Sequence, residues 1–216
     1  MDNSARLHFE FPELQHAFDD QANVFVELVT STPDLAAPTA LGDWDCAVLV
    51  GHVSTAIEAL WRWQGDAPDS AIELDATSWW DAVDPSVNAD FSHRYAAKRS
   101  HRELRDGLTV AVTRASQTSA ESSPSSSLAL PGGVAWARFD QVLATRIFEL
   151  TVHGLDLAAT TGSNTPMAGR ALEISGRILD NRFAGPRPND IENDVDWILA
   201  ASGRTPHTDP TLPAMS

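Results

Sequence analysis

The sequence predicts an all-α fold, a four-helix bundle with a short helical C-terminal extension. Three observations carry this expectation. Four long stretches repeat apolar residues at three- and four-residue spacing, as one face of a helix must. Gly-, Pro- and Ser-rich segments fall between them as punctuation. No stretch alternates apolar and polar residues as a half-buried strand does. Hydrophobic residues make up 43% of 216, enough for a sizeable core in one domain. Residues 1–165 are expected to form the bundle, and 166–216 a helical extension packed on the same domain.

The first helix is expected over 12–30. Pro12 suits a first helical position, and Leu14, Phe18, Ala22, Phe25 and Val29 mark the buried stripe. STPDLAAPTALGD (31–43) breaks it. Asp45 is placed to cap a second helix running to about Trp63, with an inward stripe of Val48, His52, Thr55/Ala56, Ala59 and Trp63. Residues 64–90 read mostly as loop, anchored by Trp79-Trp80. A third helix fits 91–117, with Phe91, Tyr95, Leu104, Leu108, Ala111 and Ala115 on one side. Seven serines within 116–127, then Pro131-Gly132-Gly133, predict a flexible crossover. The fourth helix, 134–160, is apolar around much of its circumference, as a buried helix is. Shorter helices near 168–183 and 191–202 precede a Pro-rich tail.

Charge narrows function. Fifteen Lys and Arg against thirty Asp and Glu leave a net charge of −15. A duplex binder needs clustered positive charge, and so does a protein held on anionic lipid, so nucleic acid and membrane surfaces are disfavoured. The single cysteine, Cys46, forms no intramolecular disulfide and excludes a multi-cysteine zinc knuckle. In the first turn of its helix it is expected to pack as a small apolar residue. The opening MDNSARLHFEFPEL has neither a basic nor an apolar targeting region, and no window is apolar enough to span a bilayer. A cytoplasmic protein acting on small molecules, as monomer or homodimer, is the resulting expectation.

The chemistry concentrates in RIFELTVHGLDLA (146–158). At about 100° per residue, Arg146, Glu149, His153 and Asp156 share an arc of roughly 80°. In so apolar a helix, part of that stripe must face inward, where an uncompensated carboxylate and imidazole would cost several kcal/mol, of the order of 2–7 for a polar group. Glu149 and His153, at i and i+4, stand one above the other. His52, from the second helix, is the best third partner. Two His and one carboxylate hold Zn²⁺ with a position open, and suit Ni²⁺ or Fe²⁺ nearly as well. Spacing alone fits equally a hydrogen-bonded core histidine, a Glu149–His153 ion pair or an Arg146–Glu149 pair. His101, at helical spacing from Tyr95 and Lys98, reads as a core or boundary histidine. Trp61, Trp63, Trp79, Trp80 and Trp136 are candidate pocket walls. Asp156 is a candidate orienter of His153, on the expectation that i,i+3 neighbours bridge through the ring only where the helix bends.

LGDWDCAVLVGHVSTAIEAL resembles the N-terminal signature of the mycothiol-dependent maleylpyruvate isomerase family, within the DinB/YfiT-like superfamily of metal-dependent four-helix proteins. Trp44, Asp45 and His52 fit its spacing, and Arg146, Glu149, His153, Gly154, Asp156 and Leu157 match its second signature. The closing ASGRTP resembles a Gly-Arg-x-Pro ending of short members. Val48 departs from the pattern where many relatives carry Asp, and Cys46 where an aliphatic residue is usual. The isomerase proper carries a larger C-terminal domain than the 55 or so residues that follow the fourth helix here.

The resemblance implies a DinB-like bundle, a divalent metal at His52, Glu149 and His153, and mycothiol or a similar thiol as cofactor. It implies an isomerase or S-transferase acting on a small electrophilic substrate. Arg146 and Asp156 are the expected catalytic residues, and Arg177 and Arg182 the expected cofactor- or substrate-binding arginines. The competing expectation is a metal-binding bundle that acts as a hydrolase or as a non-catalytic stress or regulatory protein.

Overall fold

The computed structural model describes residues 7–67, 70–183 and 185–215. Residues 1–6, part of the stretch read for targeting signals, lie outside the described residues.

Helix α1 (Phe11–Ser31) carries Pro12 in its first turn, one residue past its start, and its five stripe residues are all buried. Helix α2 (Cys46–Arg62) starts on Asp45, whose carboxylate accepts a hydrogen bond of 2.8 Å from the Val48 N–H. The core side of α2 is Leu49, Val50, Val53, Ile57 and Leu60. Of the stripe expected to face the core, Val48 and Ala59 are buried, while His52, Thr55, Ala56, Ala59 and Trp63 border a cavity.

Residues 64–90 hold more than loop. A short strand β1 (Ile72–Leu74) and a 3-10 turn, Trp79–Ala82, precede helix α3 (Pro85–Ala97). Trp79 is buried and stacks on Trp63 at 5.9 Å between ring centroids, which pins the turn to α2.

The expected third helix is two. Helix α3 ends at Lys98, and α4 (His101–Glu121) restarts on Ser100. The Ser100 hydroxyl receives the Glu103 N–H, while Glu103 receives the Ser100 N–H, a reciprocal capping box that begins a new helix. The break separates Phe91 from Leu104, Leu108, Ala111 and Ala115, which are buried on α4 as expected. His101 is no core residue. It lies half-exposed in the first turn of α4, 4.0 Å from Asp34.

Helix α4 also absorbs the first serines of the expected crossover. Ser119 is buried, and the Ser116 hydroxyl donates to Asp19 at 2.6 Å. The rest forms strand β2 (Ser127–Ala129), antiparallel to β3 (Ala135–Arg138), which pairs in parallel with β1 in the order β1-β3-β2. The expectation of no strand is thus corrected by a small sheet. Each strand is three or four residues long, below the length at which alternation shows.

Helix α5 (Phe139–Thr161) is buried on nearly every side. It packs on α1, α2 and α6 (Gly169–Arg182), and α6 packs on α7 (Asp194–Ala201). Gly154 of α5 allows a close approach, since a Cβ there would lie 2.8 Å from the Met167 sulfur. Gln21 of α1 fixes that crossing by bonding the Leu150 carbonyl, the Ala168 N–H and Met167. No helix among the described residues is long and apolar enough to cross a membrane.

Candidate metal centre

The polar stripe of α5 meets α2 at the middle of the bundle. Glu149 Oε2 lies 3.2 Å from His52 Nε2 and 3.3 Å from His153 Nε2. One donor atom from each of the three residues lies within 4.8 Å of the others. Donors about 2.0–2.1 Å from a tetrahedral ion stand about 3.3–3.4 Å apart, and the two distances from Glu149 Oε2 match that spacing.

The outer partners decide where the protons sit. The Ser92 hydroxyl donates to the Asn88 carbonyl at 2.7 Å, so toward His52 Nδ1, at 3.2 Å, it can only accept. Nδ1 of His52 therefore carries a proton, and in the neutral ring Nε2 is a lone pair. His153 Nδ1 donates to Asp156 at 3.0 Å, which likewise leaves its Nε2 a lone pair. Trp80 Nε1 donates to Glu149 Oε1 at 3.2 Å, so Oε2 is the free oxygen. Three lone pairs converge on one point in a largely buried setting. Such a set needs a cation, either protons or a metal ion.

The electrostatics follow the same geometry. Burial drives His52 below the ordinary imidazole range, with hydrogen bonding to Glu149 opposing it. Burial acts the same way on His153, but hydrogen bonds to Asp156 and Glu149 outweigh it and raise the group. Glu149, although burial acts to raise it, is held well below the ordinary carboxylate range by the two imidazoles.

Asp156 bridges to His153 at 3.0 Å within α5, which runs uninterrupted through both residues. The ring reaches along the helix and presents Nδ1 to the carboxylate. The other face of Asp156 is held by Arg204, whose Nε and Nη2 donate at 3.2 and 3.1 Å. Arg204 belongs to the ASGRTP ending. It stands outside the site residues expected from the sequence, although the resemblance of that ending is a signal for it. Nothing in the local sequence marked Ser92 or the Trp80 contact with Glu149.

The remaining arginines divide. Arg146 is buried, with its guanidinium 4.8 Å from the Trp79 ring centroid. Its Nη1 donates to the Ala56 carbonyl, and Nε and Nη2 to the Thr145 hydroxyl. Arg182 borders the cluster's larger cleft, but it donates to the Ala214 and Thr77 carbonyls and to Asp81. It ties the tail to the loop. Arg177 borders neither cavity beside the cluster. It donates to the His8 carbonyl and lies over Phe9, so its position does not fit the binding role expected of it.

Two cavities meet at the cluster. A cleft of about 610 Å³ is lined by Trp44, His52, Glu149, His153, Arg182 and Arg204, among others. A second cavity, of about 460 Å³, reaches His52 and Glu149 between α2 and α3. Of the expected pocket walls, Trp63, Trp79 and Trp80 line the second cavity. Trp61 instead packs under Arg114, and Trp136 sits in β3.

A helical bundle that aims two imidazoles and a carboxylate at one point between two cavities defines a class of candidate metal-binding four-helix proteins. Within that class, the family model described as the mycothiol maleylpyruvate isomerase N-terminal domain matches residues 16–158, and the chain belongs to this family. A crystal structure of the mycothiol-dependent maleylpyruvate isomerase is similar at a TM-score of 0.55 and 16% identity, over 79% of this chain and 68% of that one. At that identity the likeness is one of fold. No curated protein sequence matches the chain significantly.

Proposed function

We propose that the protein is a metal-dependent enzyme that uses a low-molecular-weight thiol, of the mycothiol kind, to isomerise or conjugate a small electrophilic substrate. The observation that carries the metal part is the convergence of three lone pairs from His52, Glu149 and His153. The thiol part rests on the family and on the printed activity of the similar structure. A divalent metal there, Zn²⁺ first and Ni²⁺ or Fe²⁺ next by donor type, would supply the Lewis acidity that keeps a thiol deprotonated at neutral pH.

The chain's own residues then have definite tasks. Asp156 holds the proton on His153 Nδ1, and Ser92 holds the one on His52 Nδ1, so both Nε2 atoms stay available. Trp80 steadies Glu149. Arg146 offers a cation for a substrate carboxylate one helical turn from the cluster.

In isomerisation, the thiolate sulfur forms a bond to one carbon of a cis double bond conjugated with a carbonyl. The π pair moves onto the carbonyl oxygen, and the resulting single bond rotates. Return of the pair re-forms the double bond as trans and breaks the C–S bond, which restores the thiolate. If the intermediate takes up a proton before elimination, the product is a conjugate.

The test is metal content per chain in wild type and His153→Ala, purified without chelating tags, followed by a thiol-conjugation assay against a panel of electrophiles. Near-stoichiometric metal, lost in the variant, together with thiol-dependent turnover, is the expected result. A wild type that takes up no metal on titration at neutral pH would overturn the proposal.

A further inference from the structure

The second cavity carries chemistry that the metal cluster does not require. It is bounded by Trp63 and Trp79 on one side and by Val87 and Phe91 of α3 on the other. Val87 and Phe91 are 59% and 49% exposed, large apolar residues left open at one mouth on successive turns of the same helix. At about 460 Å³ the cavity lies within the range of small-molecule sites.

Its wall also holds a buried cation. Arg146 is 3% exposed, and its three hydrogen bonds go to neutral oxygens of Ala56 and Thr145. A guanidinium has five N–H bonds, so two of them have no partner among the described residues. No carboxylate among those residues forms an ion pair with it, although Glu149 stands one turn away. A buried guanidinium with spare donors in an aromatic-walled cavity is chemically suited to a carboxylate attached to an apolar body.

We propose that this cavity binds the substrate, and that the substrate is an aromatic or similarly bulky apolar carboxylic acid, a carboxylate on Arg146 and its ring between the tryptophans and α3. The inference deepens the reading of the site given above and rests on it for the word substrate. The wider cleft, which shares His52 and Glu149 with this cavity, is then left for the thiol. The preference follows from the apolar part of the wall: a compact acid would leave Val87, Phe91 and Trp63 uncovered, whereas the other cations at the cavity, Arg62 (paired with Glu58 at 2.8 Å) and Arg94, are shared with its charged rim.

Naphthoate, an unreactive aryl carboxylate, tests this by direct titration of the whole protein. Tryptophan fluorescence and calorimetry provide the readout, with maleate as the small diacid for comparison. Naphthoate is expected to bind saturably and at least tenfold more tightly than maleate. Val87→Glu, an exposed change that puts a like charge at the mouth, is expected to weaken it at least tenfold while leaving metal content and circular dichroism unchanged. Arg146→Gln is expected to do the same, and Val87→Glu keeps the test decisive if that buried change unfolds the protein.

Maleate binding as tightly as naphthoate, no saturable naphthoate binding, or indifference of binding to Val87→Glu would each overturn the inference. Because the titration needs no turnover, its failure in a metal-loaded protein condemns the substrate class alone. Naphthoate binding in a protein that takes up no metal supports the cavity and overturns the metal reading instead.

Discussion

At the scale of single residues, the centre depends on groups that touch no ligand position. Arg204 holds Asp156, and Asp156 holds the Nδ1 proton of His153, so a residue 51 positions along the chain fixes which nitrogen of the imidazole is free. Arg204→Ala is expected to lower metal affinity about 10- to 100-fold, the usual effect of losing such an outer partner. Competition with a chromophoric chelator would measure it, and an unchanged affinity would remove Arg204 from the site. Gly154 is a second such residue. An added Cβ would meet the Met167 sulfur at 2.8 Å and the Gln21 amide at 3.2 Å, and Gln21 is tied by its own hydrogen bonds. Overpacking of about 1–3 kcal/mol, offset by about 1 kcal/mol of gained helix propensity, should leave Gly154→Ala destabilised by about 1 kcal/mol in thermal unfolding.

At the scale of elements, the break between α3 and α4 depends on the Ser100–Glu103 capping box. Ser100→Ala should cost about 1 kcal/mol, read as a lower midpoint in urea. Donation from the Ser100 backbone N–H, then from its hydroxyl, holds Glu103 below its ordinary value of 4.5. A carboxylate lowered by folding contributes stability above its unfolded pKa and loses it as pH falls through the folded one. Glu103→Gln should therefore narrow the stability gap to wild type as the pH drops below about 4.5, an ordinary value set by the unfolded chain.

The same elements show what the sequence could disclose. Pro12, Asp45 and the Glu149–His153 spacing were legible because each acts within one or two turns. The parallel pairing of β1 with β3 was not, since Ile72 and Ala135 are brought together by the folded bundle and not by any local pattern. The split of α3 from α4 is hidden because Phe91 and Tyr95 continue the apolar spacing of α4, although Phe91 borders a cavity and Tyr95 packs beside Gly51 of α2. The His52–Glu149–His153 set was readable from spacing and family signature together. Its supports, Ser92, Trp80 and Arg204, come from three other parts of the chain; only the ASGRTP ending around Arg204 carries a family signal, and nothing local places Ser92 or Trp80 beside the cluster.

At the scale of the molecule, a bound ion would tie α2 to α5 across the middle of the bundle. Anything that binds only the folded state adds stability by mass action, about 2.7 kcal/mol at a free concentration of 100 times Kd. Exhaustive chelation is thus expected to lower Tm, and readdition of Zn²⁺ to restore it, as scanning calorimetry would show. A Tm indifferent to both would mean that protons, and not a metal, satisfy the converging lone pairs.

The pairing of α1 with α5 has a consequence for how the chain is made. Helix α1, with Leu14, Phe18 and Phe25 buried, packs chiefly on α5, a helix that begins more than a hundred residues later, Ser31 to Phe139. At about 5–20 residues per second, a ribosome takes roughly 5–20 seconds to supply that cover. For that interval the first helix is an apolar ribbon without its partner, so the nascent protein is a client for whatever chaperones meet it at the tunnel exit. Synonymous codons that slow translation between residues 32 and 138 should prolong that association and lower the soluble yield.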